Sequence, residues 1–415
     1  MKQYVIIGNG IAAAGCIEGI RSKDKNGSIT VVSKENHPVY CRPLISYYLE
    51  GKTSLDHINY RPDDFYKVNN CDVIYNKTAD KIDTVNKTVK LSDGTELHYT
   101  TLCIATGSSP FTPQFKGIEN VKHRFSFISL DDALEIEKVI TKESKVLIVG
   151  AGLIGLKCAE GLHNRVAKIT VCDLSDMILS SILDKDTSPI IEKHLKDIGI
   201  ELLLSDSVDY FEDGKAVMKS KKVVDFDILI TAVGVRPNIS LVSDANGKVN
   251  RGILIDEHMK TSLDDIYAAG DCTEGYDASL KSDRVLALLP NAYMQGFTAG
   301  INMASGSAVF DNAIPMNSIG LFGYHVMTAG SYISGNDSSL TDTQIEDTSA
   351  KKFFVDDGVL KGYIFINETE KAGIFTSLIR NQVPLDTINF ELLKNIPTFT
   401  AFSEKKRRKQ FGGVV

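Results

Sequence analysis

The chain has 415 residues, 43% of them hydrophobic and 24% charged, with a formal net charge of -7. That length predicts two or three domains of roughly 100–200 residues. The negative balance argues against a nucleic acid as partner, and no apolar run approaches the ~18 residues of a membrane span.

The first strand begins almost at once, at Lys2-Gln3-Tyr4-Val5-Ile6-Ile7, which predicts no secretory leader and a cytoplasmic location. It runs straight into Gly8-Asn9-Gly10-Ile11-Ala12-Ala13, a match to G-x-G-x-x-G/A. Ala13, Cys16, Ile17 and Ile20 then form one apolar stripe of a helix, and Ile29-Thr30-Val31-Val32 predicts the next strand. Gly8 makes the tight turn, and Gly10 lets a pyrophosphate approach the backbone. Ala13 lets the helix pack closely on the sheet, and the helix N-terminus faces the phosphates. Strand, glycine turn, helix and strand in register predict a dinucleotide-binding unit. At the end of its second strand Ser33 holds the ribose-acceptor position, and Glu35 lies two residues on. Glu35 is either that acceptor or a solvated side chain.

A second unit repeats the pattern. Lys145-Val146-Leu147-Ile148-Val149 is a strand, and Gly150-Ala151-Gly152-Leu153-Ile154-Gly155 is the full three-glycine fingerprint. Leu156, Ala159 and Leu162 continue a helix, and Ile169-Thr170-Val171-Cys172 ends in Asp173. Asp173 falls close to the ~20-residue offset of the ribose acid. A carboxylate there accepts from both ribose hydroxyls and repels a 2′-phosphate, so NADH is expected over NADPH. A hydride donor and a flavin acceptor are the usual reason for one chain to hold two such units.

Three further segments accompany the fingerprints. They are Leu102-Cys103-Ile104-Ala105-Thr106-Gly107, then Ile230-Thr231-Ala232-Val233-Gly234-Val235-Arg236-Pro237-Asn238, then Thr261-Ser262-Leu263-Asp264-Asp265-Ile266-Tyr267-Ala268-Ala269-Gly270-Asp271. In this order, over about residues 1–305, the chain resembles the pyridine-nucleotide flavoprotein reductases. Tyr40-Cys41-Arg42-Pro43-Leu44-Ile45-Ser46 and Leu288-Leu289-Pro290-Asn291-Ala292 are similar to NADH-dependent rubredoxin and ferredoxin reductases and to the flavin module of assimilatory nitrite reductases.

The resemblance implies an α/β fold of two Rossmann-like domains, the NAD domain inserted in a split FAD domain, with a small α+β C-terminal domain. The expected domains are 1–110 and 238–312 for FAD, 111–237 for NAD, and 313–415 as an interface domain. For FAD the implied residues are Gly8, Gly10, Ile11, Ala12, Ala13, Ser33, Glu35, Arg42, Pro43, Ala79, Ala105, Thr106, Gly107, Gly270, Asp271, Leu289, Pro290 and Asn291. For NAD they are Gly150, Gly152, Leu153, Ile154, Gly155, Asp173, Val233 and Gly234. Arg42 would bring a cation to the FAD phosphates or ring, and Pro43 would fix the loop. Asp271 would accept from the ribityl chain. The helix starting near Pro290 would aim its N–H groups at the flavin. No catalytic side chain and no metal is expected, because the flavin carries the chemistry.

Two residues depart from the resemblance. Relatives that are NADH oxidases or coenzyme A-disulfide reductases carry a redox cysteine in the loop of Cys41, but its position corresponds to Pro43 here. Cys41 therefore reads as a packing residue. The other cysteines, Cys16, Cys71, Cys103, Cys158, Cys172 and Cys272, form no C-x-x-C and no zinc spacing. Most relatives have Glu where Lys157 stands, near the nicotinamide. Lys157 either points outward from its helix or alters how the nicotinamide is held.

Further on, residues 352–355 and 359–366 read as strands joined by a turn at Asp356-Asp357-Gly358. Ala372, Phe375 and Ile379 mark an amphipathic helix. Ser334-Gly335-Asn336-Asp337-Ser338-Ser339 reads as an exposed polar loop. The basic run Lys405-Lys406-Arg407-Arg408-Lys409 is either a frayed tail or a dock for an acidic electron carrier. The expected function is an NADH:acceptor oxidoreductase that feeds a ferredoxin- or rubredoxin-like protein, as a homodimer or in a larger complex. The alternatives are an oxidase or disulfide reductase using Cys41, and a slow nucleotide-binding flavoprotein sensor.

Overall fold

The computed structural model describes residues 2–212, 214–332, 340–396 and 398–404. The chain divides into two compact units. One comprises Met1–Ser181, Glu192–Tyr276 and Ser282–Asp311, and the other Ile182–Ile191, Asp277–Lys281 and Asn312–Val415.

Two five-stranded parallel sheets organise the first unit. The first runs in the order Ile266–Ala268, Thr101–Ile104, Gln3–Ile7, Ser28–Val32, Cys71–Ile74. The second runs Glu201–Leu204, Lys168–Asp173, Lys145–Val149, Ile228–Thr231, Arg124–Phe125. The strands Thr101–Ile104 and Ile228–Thr231 are buried at every residue. That is the pattern of parallel strands covered on both faces. The two sheets exchange chain through an antiparallel ribbon, Ser108–Pro110 against Val235–Pro237. The second Rossmann sheet is thus inserted into the first, whose last strand comes from Ile266–Ala268.

The halves of the first fold are joined by a helix crossing. Helix Ile11–Lys23 carries Gly15 and Gly19 on one face, and helix Leu289–Met303 carries Gly296 and Gly300. A Cβ on Gly15 would stand 2.4 Å from the Tyr293 carbonyl oxygen, and one on Gly19 2.2 Å from that of Phe297. In return, a Cβ on Gly296 would stand 2.0 Å from the Ala12 oxygen and one on Gly300 2.1 Å from that of Cys16. No side chain fits at any of the four positions. Beside the crossing, Glu18 takes Arg61 Nε at 2.6 Å and the Tyr293 hydroxyl at 2.5 Å.

The second unit is a five-stranded antiparallel sheet in the order Met316–Leu321, Tyr324–Gly330, Val359–Ile366, Ala350–Asp356, Leu340–Ile345. Helix Ala372–Arg380 packs its Ala372, Phe375 and Ile379 into the core with Phe353, Tyr363 and Phe365. The expected hairpin is present, with Asp357 at φ 50° and Gly358 at φ 68°, the left-handed pair of a two-residue turn. The three other strands were not expected. Residues 182–191 join this unit through Lys352, whose Nζ lies 2.6 Å from Asp184 and 2.5 Å from Asp186. The polar loop at 334–339 and the basic run at 405–409 lie outside the described residues. Among those described, no helix is long and apolar enough to cross a membrane, and no His, Cys, Asp and Glu cluster could hold a metal.

The glycine crossing yields a test. Gly296→Ala forces a methyl into the Ala12 carbonyl and should cost about 1–3 kcal/mol or more of unfolding free energy. Thermal unfolding of the purified variant, with its retained flavin absorbance, measures the loss.

Candidate active site

The two fingerprints adopt the same turn. Gly8 has φ +111°, and a Cβ there would stand 2.1 Å from the carbonyl oxygen of Ala105. Gly150 has φ +118°, and its Cβ would stand 2.2 Å from that of Ala232. In each unit the first glycine is therefore clamped against the residue after the neighbouring strand. The second glycines, Gly10 and Gly152, face open space where a Cβ would point. Each caps its helix without a side-chain bond, and neither helix has an acid in its first turn. Both N-termini thus suit a pyrophosphate. The third positions differ. A Cβ on Gly155 would meet the Gly150 oxygen at 2.0 Å, whereas the first unit accommodates buried Ala13. Ile11, Ala12, Leu153 and Ile154 form the first turns of the two helices.

The carboxylates at the second-strand ends are held differently. Asp173 accepts from Ala151 N at 2.7 Å through one oxygen and from Ser175 N at 2.8 Å through the other. It therefore stands directly beside the glycine turn. In the first unit Ser33 is buried, and its hydroxyl donates to the Glu35 carbonyl at 2.7 Å, so it serves the turn. Glu35 accepts from the Tyr40 hydroxyl at 2.6 Å and from Arg42 Nη2 at 2.5 Å. Arg42 Nη1 donates to the Tyr40 hydroxyl and to the Ile128 carbonyl, each at 2.9 Å. The Tyr40 hydroxyl also accepts from Leu130 N at 2.9 Å. Burial pushes the Tyr40 phenol above its ordinary pKa, so it stays a neutral donor. Asn9 is positioned too. The Tyr66 hydroxyl donates to its side-chain oxygen at 2.8 Å, and its amide donates to the His37 carbonyl at 3.2 Å.

At the other end, two motifs from distant sequence meet. The Thr106 hydroxyl donates to the Asn238 carbonyl at 3.0 Å, and the Asn238 amide donates to the Thr106 carbonyl at 2.8 Å. Asn238 N donates to Gly107 O at 2.9 Å. Val233 and Gly234 lie between the strand Ile228–Thr231 and the ribbon. Asp271 receives one long bond from the Ser108 hydroxyl, 3.4 Å. Burial raises its carboxyl above the usual range, with Arg42 opposing. Buried Gln295, on helix Leu289–Met303, accepts from Gly270 N at 2.8 Å and from the Thr273 hydroxyl at 3.1 Å. Leu289, Pro290 and buried Asn291 form the first turn of that helix. Pro43 precedes helix Leu44–Glu50. Ala79 opens the strand Ala79–Asp83 and packs on the core of the first sheet.

These residues fit FAD. The Gly10 face is open. The Arg42 side chain keeps 41% of its surface accessible although Glu35, Tyr40 and Ile128 hold it, as a group lining a cleft does. Asp271 retains acceptor capacity for hydroxyl groups.

Cys41 is half-buried, and burial pushes its thiol upward, which opposes a thiolate. Lys157 does not point outward to solvent. It forms an ion pair with Glu160, and its Nζ lies 4.5 Å from the centre of the Tyr47 ring. The roles of Tyr40, Tyr47, Tyr66 and Gln295 were missed from sequence. Only Gln295 carried a signal, a polar residue among small apolar ones on a buried helix face.

Residues 2–296 match the family described as pyridine nucleotide-disulphide oxidoreductase. The chain is 29% identical over 402 residues to the NADH-dependent phenylglyoxylate dehydrogenase subunit epsilon of Aromatoleum evansii, covering 95% of each. It is 34% identical over 318 residues to the NADH oxidase of Methanocaldococcus jannaschii, covering 74% of this chain and 71% of that one. Among solved structures, the NADH:rubredoxin oxidoreductase of Clostridium acetobutylicum superposes with a TM-score of 0.77 at 25% identity, covering 95% of this chain and 100% of that one.

Tyr40→Phe removes the hydroxyl that joins Glu35, Arg42 and Leu130. It should lower the unfolding free energy by about 1–3 kcal/mol, chiefly by leaving the buried Leu130 N–H unpaired. Urea unfolding of wild type and variant at the same pH measures the difference.

Proposed function

The chain belongs to the pyridine nucleotide-disulphide oxidoreductase family, and we propose that it is a cytoplasmic FAD enzyme that takes hydride from NADH and passes electrons to a small redox protein. The observation that carries this reading is the pair of equivalent glycine turns, each with an open second glycine, in one compact unit. FAD, when bound, supplies two-electron acceptance and one-electron release, which no side chain here could.

The residues do the rest. Gly8, Gly10 and the helix Ile11–Lys23 would hold the FAD pyrophosphate, with Arg42, bonded to Glu35, beside the phosphates and Asp271 at the ribityl chain. Arg42 is fixed by three partners, so its charge is preorganised rather than recruited. Gly150, Gly152 and helix Leu153–Leu162 hold the NADH pyrophosphate. Asp173, already aligned by Ala151 N, takes the adenosine ribose hydroxyls. Glu35 takes the corresponding part on the FAD side.

The A. evansii relative is named as a subunit, which supports work within a larger assembly. The disulfide-reductase reading needs a thiolate, and the burial of Cys41 opposes one.

NADH added without oxygen should bleach the flavin faster than about one per second, within the ordinary range of turnover. A much slower trace would favour a sensor. NADPH should be at least about tenfold less effective, because its 2′-phosphate meets Asp173; equal efficiency would reject the assignment of Asp173. Cys41→Ser should reduce within about twofold of wild type, since a neutral thiol takes no part. Loss of reduction with FAD retained would restore the thiol mechanism. Stopped-flow absorbance reads all three.

A further inference from the structure

The chain that follows Asp173 passes from the first compact unit into the second before it enters helix Ser188–Asp197. Its first part is pinned beside the second glycine turn. Asp173 accepts from Ser175 N at 2.8 Å, and the Ser175 carbonyl accepts from Ser205 N at 2.8 Å. Leu179 N donates to the Ala151 carbonyl, within the glycine turn itself, at 2.9 Å. Leu179 is buried and has φ 51°, in the left-handed region that a bulky side chain seldom takes. A backbone in that region persists only where its surroundings over-determine it.

The second part is pinned by Lys352. One oxygen of Asp184 accepts from Thr187 N at 3.0 Å and from the Thr187 hydroxyl at 2.7 Å, which fixes the turn into the helix. The other lies 2.6 Å from Lys352 Nζ, and Asp186 lies 2.5 Å from the same nitrogen. Lys352 stands on strand Ala350–Asp356, which is paired on both sides, opposite Thr343 on one neighbour and Ile364 on the other. Its side chain is only 8% accessible, and its Nζ lies 5.6 Å from the centre of the Phe354 ring. Burial works against its charge, but the two carboxylates prevail and raise its pKa. A pair this buried adds little stability over apolar residues of the same volume. What it does supply is a fixed point for the two carboxylates. Residues 180–183 alone separate Leu179 from Asp184, and Ile182 and Leu183 are buried. So short a connection has little slack.

We propose that Lys352 is a positioning residue for nucleotide binding: by holding Asp184 and Asp186 it keeps the chain behind Asp173 in the left-handed form that sets this acid beside its glycine turn. The proposal rests on the NADH reading above. Lys352 acts only through the two carboxylates. By linkage, whatever the tether contributes to nucleotide binding, bound nucleotide returns to the tether.

The test uses FAD-loaded protein, calorimetric binding of ADP-ribose, and amide hydrogen exchange over residues 174–183. K352M removes the tether. The triple variant K352M/D184N/D186N removes it without leaving an unpaired carboxylate, and D184N keeps an oxygen for Thr187. Both should bind ADP-ribose at least about fivefold more weakly than wild type, the lower end of coupling between separate sites. Without nucleotide, residues 174–183 should exchange faster by a similar factor in both, while residues 3–20 exchange as in wild type. ADP-ribose should restore the lost protection. Affinity within about twofold of wild type in both variants would overturn the proposal. So would full recovery of affinity in the triple variant, which would trace the loss to unpaired acids. Weaker binding with unchanged exchange at 174–183 would overturn it as well. Wild-type protein that binds neither ADP-ribose nor NADH would instead overturn the NADH reading on which it rests.

Discussion

Two helices separated by more than 260 residues of chain touch backbone to backbone, and the first glycine turn is braced by their contact. Gly15 and Gly19 face Gly296 and Gly300 with no room for a methyl group. Glycine in a helix costs about 1 kcal/mol against alanine, so four at one crossing are a local sacrifice offset by close packing. The contact also braces the fingerprint itself. Gly296 abuts the Ala12 carbonyl, and a Cβ on Gly270 would stand 3.1 Å from the Ala12 Cβ. Ala12 is therefore where the pyrophosphate turn, the Gly270-Asp271 turn and helix Leu289–Met303 come together.

A second set of contacts ties the loops of the first sheet to the helix that precedes the second. The turn before helix Leu130–Val139 is closed by a reciprocal Ser129–Asp132 cap. Tyr40 and Arg42 bind that turn from the flavin side, and His37 reaches Asp131 at 2.7 Å. On the next face, Arg165 pairs with Glu137 at 2.6 Å and bonds the Leu49 carbonyl. Hydride transfer tolerates little error in ring placement. These contacts join the loops to which the two cofactors are assigned above, and so would fix the spacing between them.

Much of this was legible from residue order. Each fingerprint lies between a buried strand and a helix, and the strand pairs Gln3–Ile7 with Ser28–Val32 and Lys145–Val149 with Lys168–Asp173 follow the expected parallel register. The hairpin at Asp357-Gly358 was readable because its left-handed dihedrals demand particular residues. Long-range partners were not readable. Nothing in Tyr40 announces that one hydroxyl serves Glu35, Arg42 and Leu130, since Leu130 belongs to another sheet's helix. Lys157 could be flagged as unusual, but a helix position alone does not tell which neighbour its ammonium meets. The glycines at 15, 19, 296 and 300 were visible, yet their purpose lies in a partner far along the chain. The strand Met316–Leu321 alternates too weakly to stand out from a loop.

The insertion of one sheet into another also orders events in time. The second sheet has all of its strands once residue 231 has been made, and every one of them lies within 124–231. The first sheet must wait for Ile266–Ala268, and its helix crossing for Leu289–Met303. On a ribosome, the second sheet can therefore collapse while the first is still missing a strand. A folded insert shortens the loop that the outer halves must close, and so lowers the entropy lost when they meet. The late arrival of Gly296 and Gly300 makes the helix crossing one of the last parts of the first sheet's fold to close.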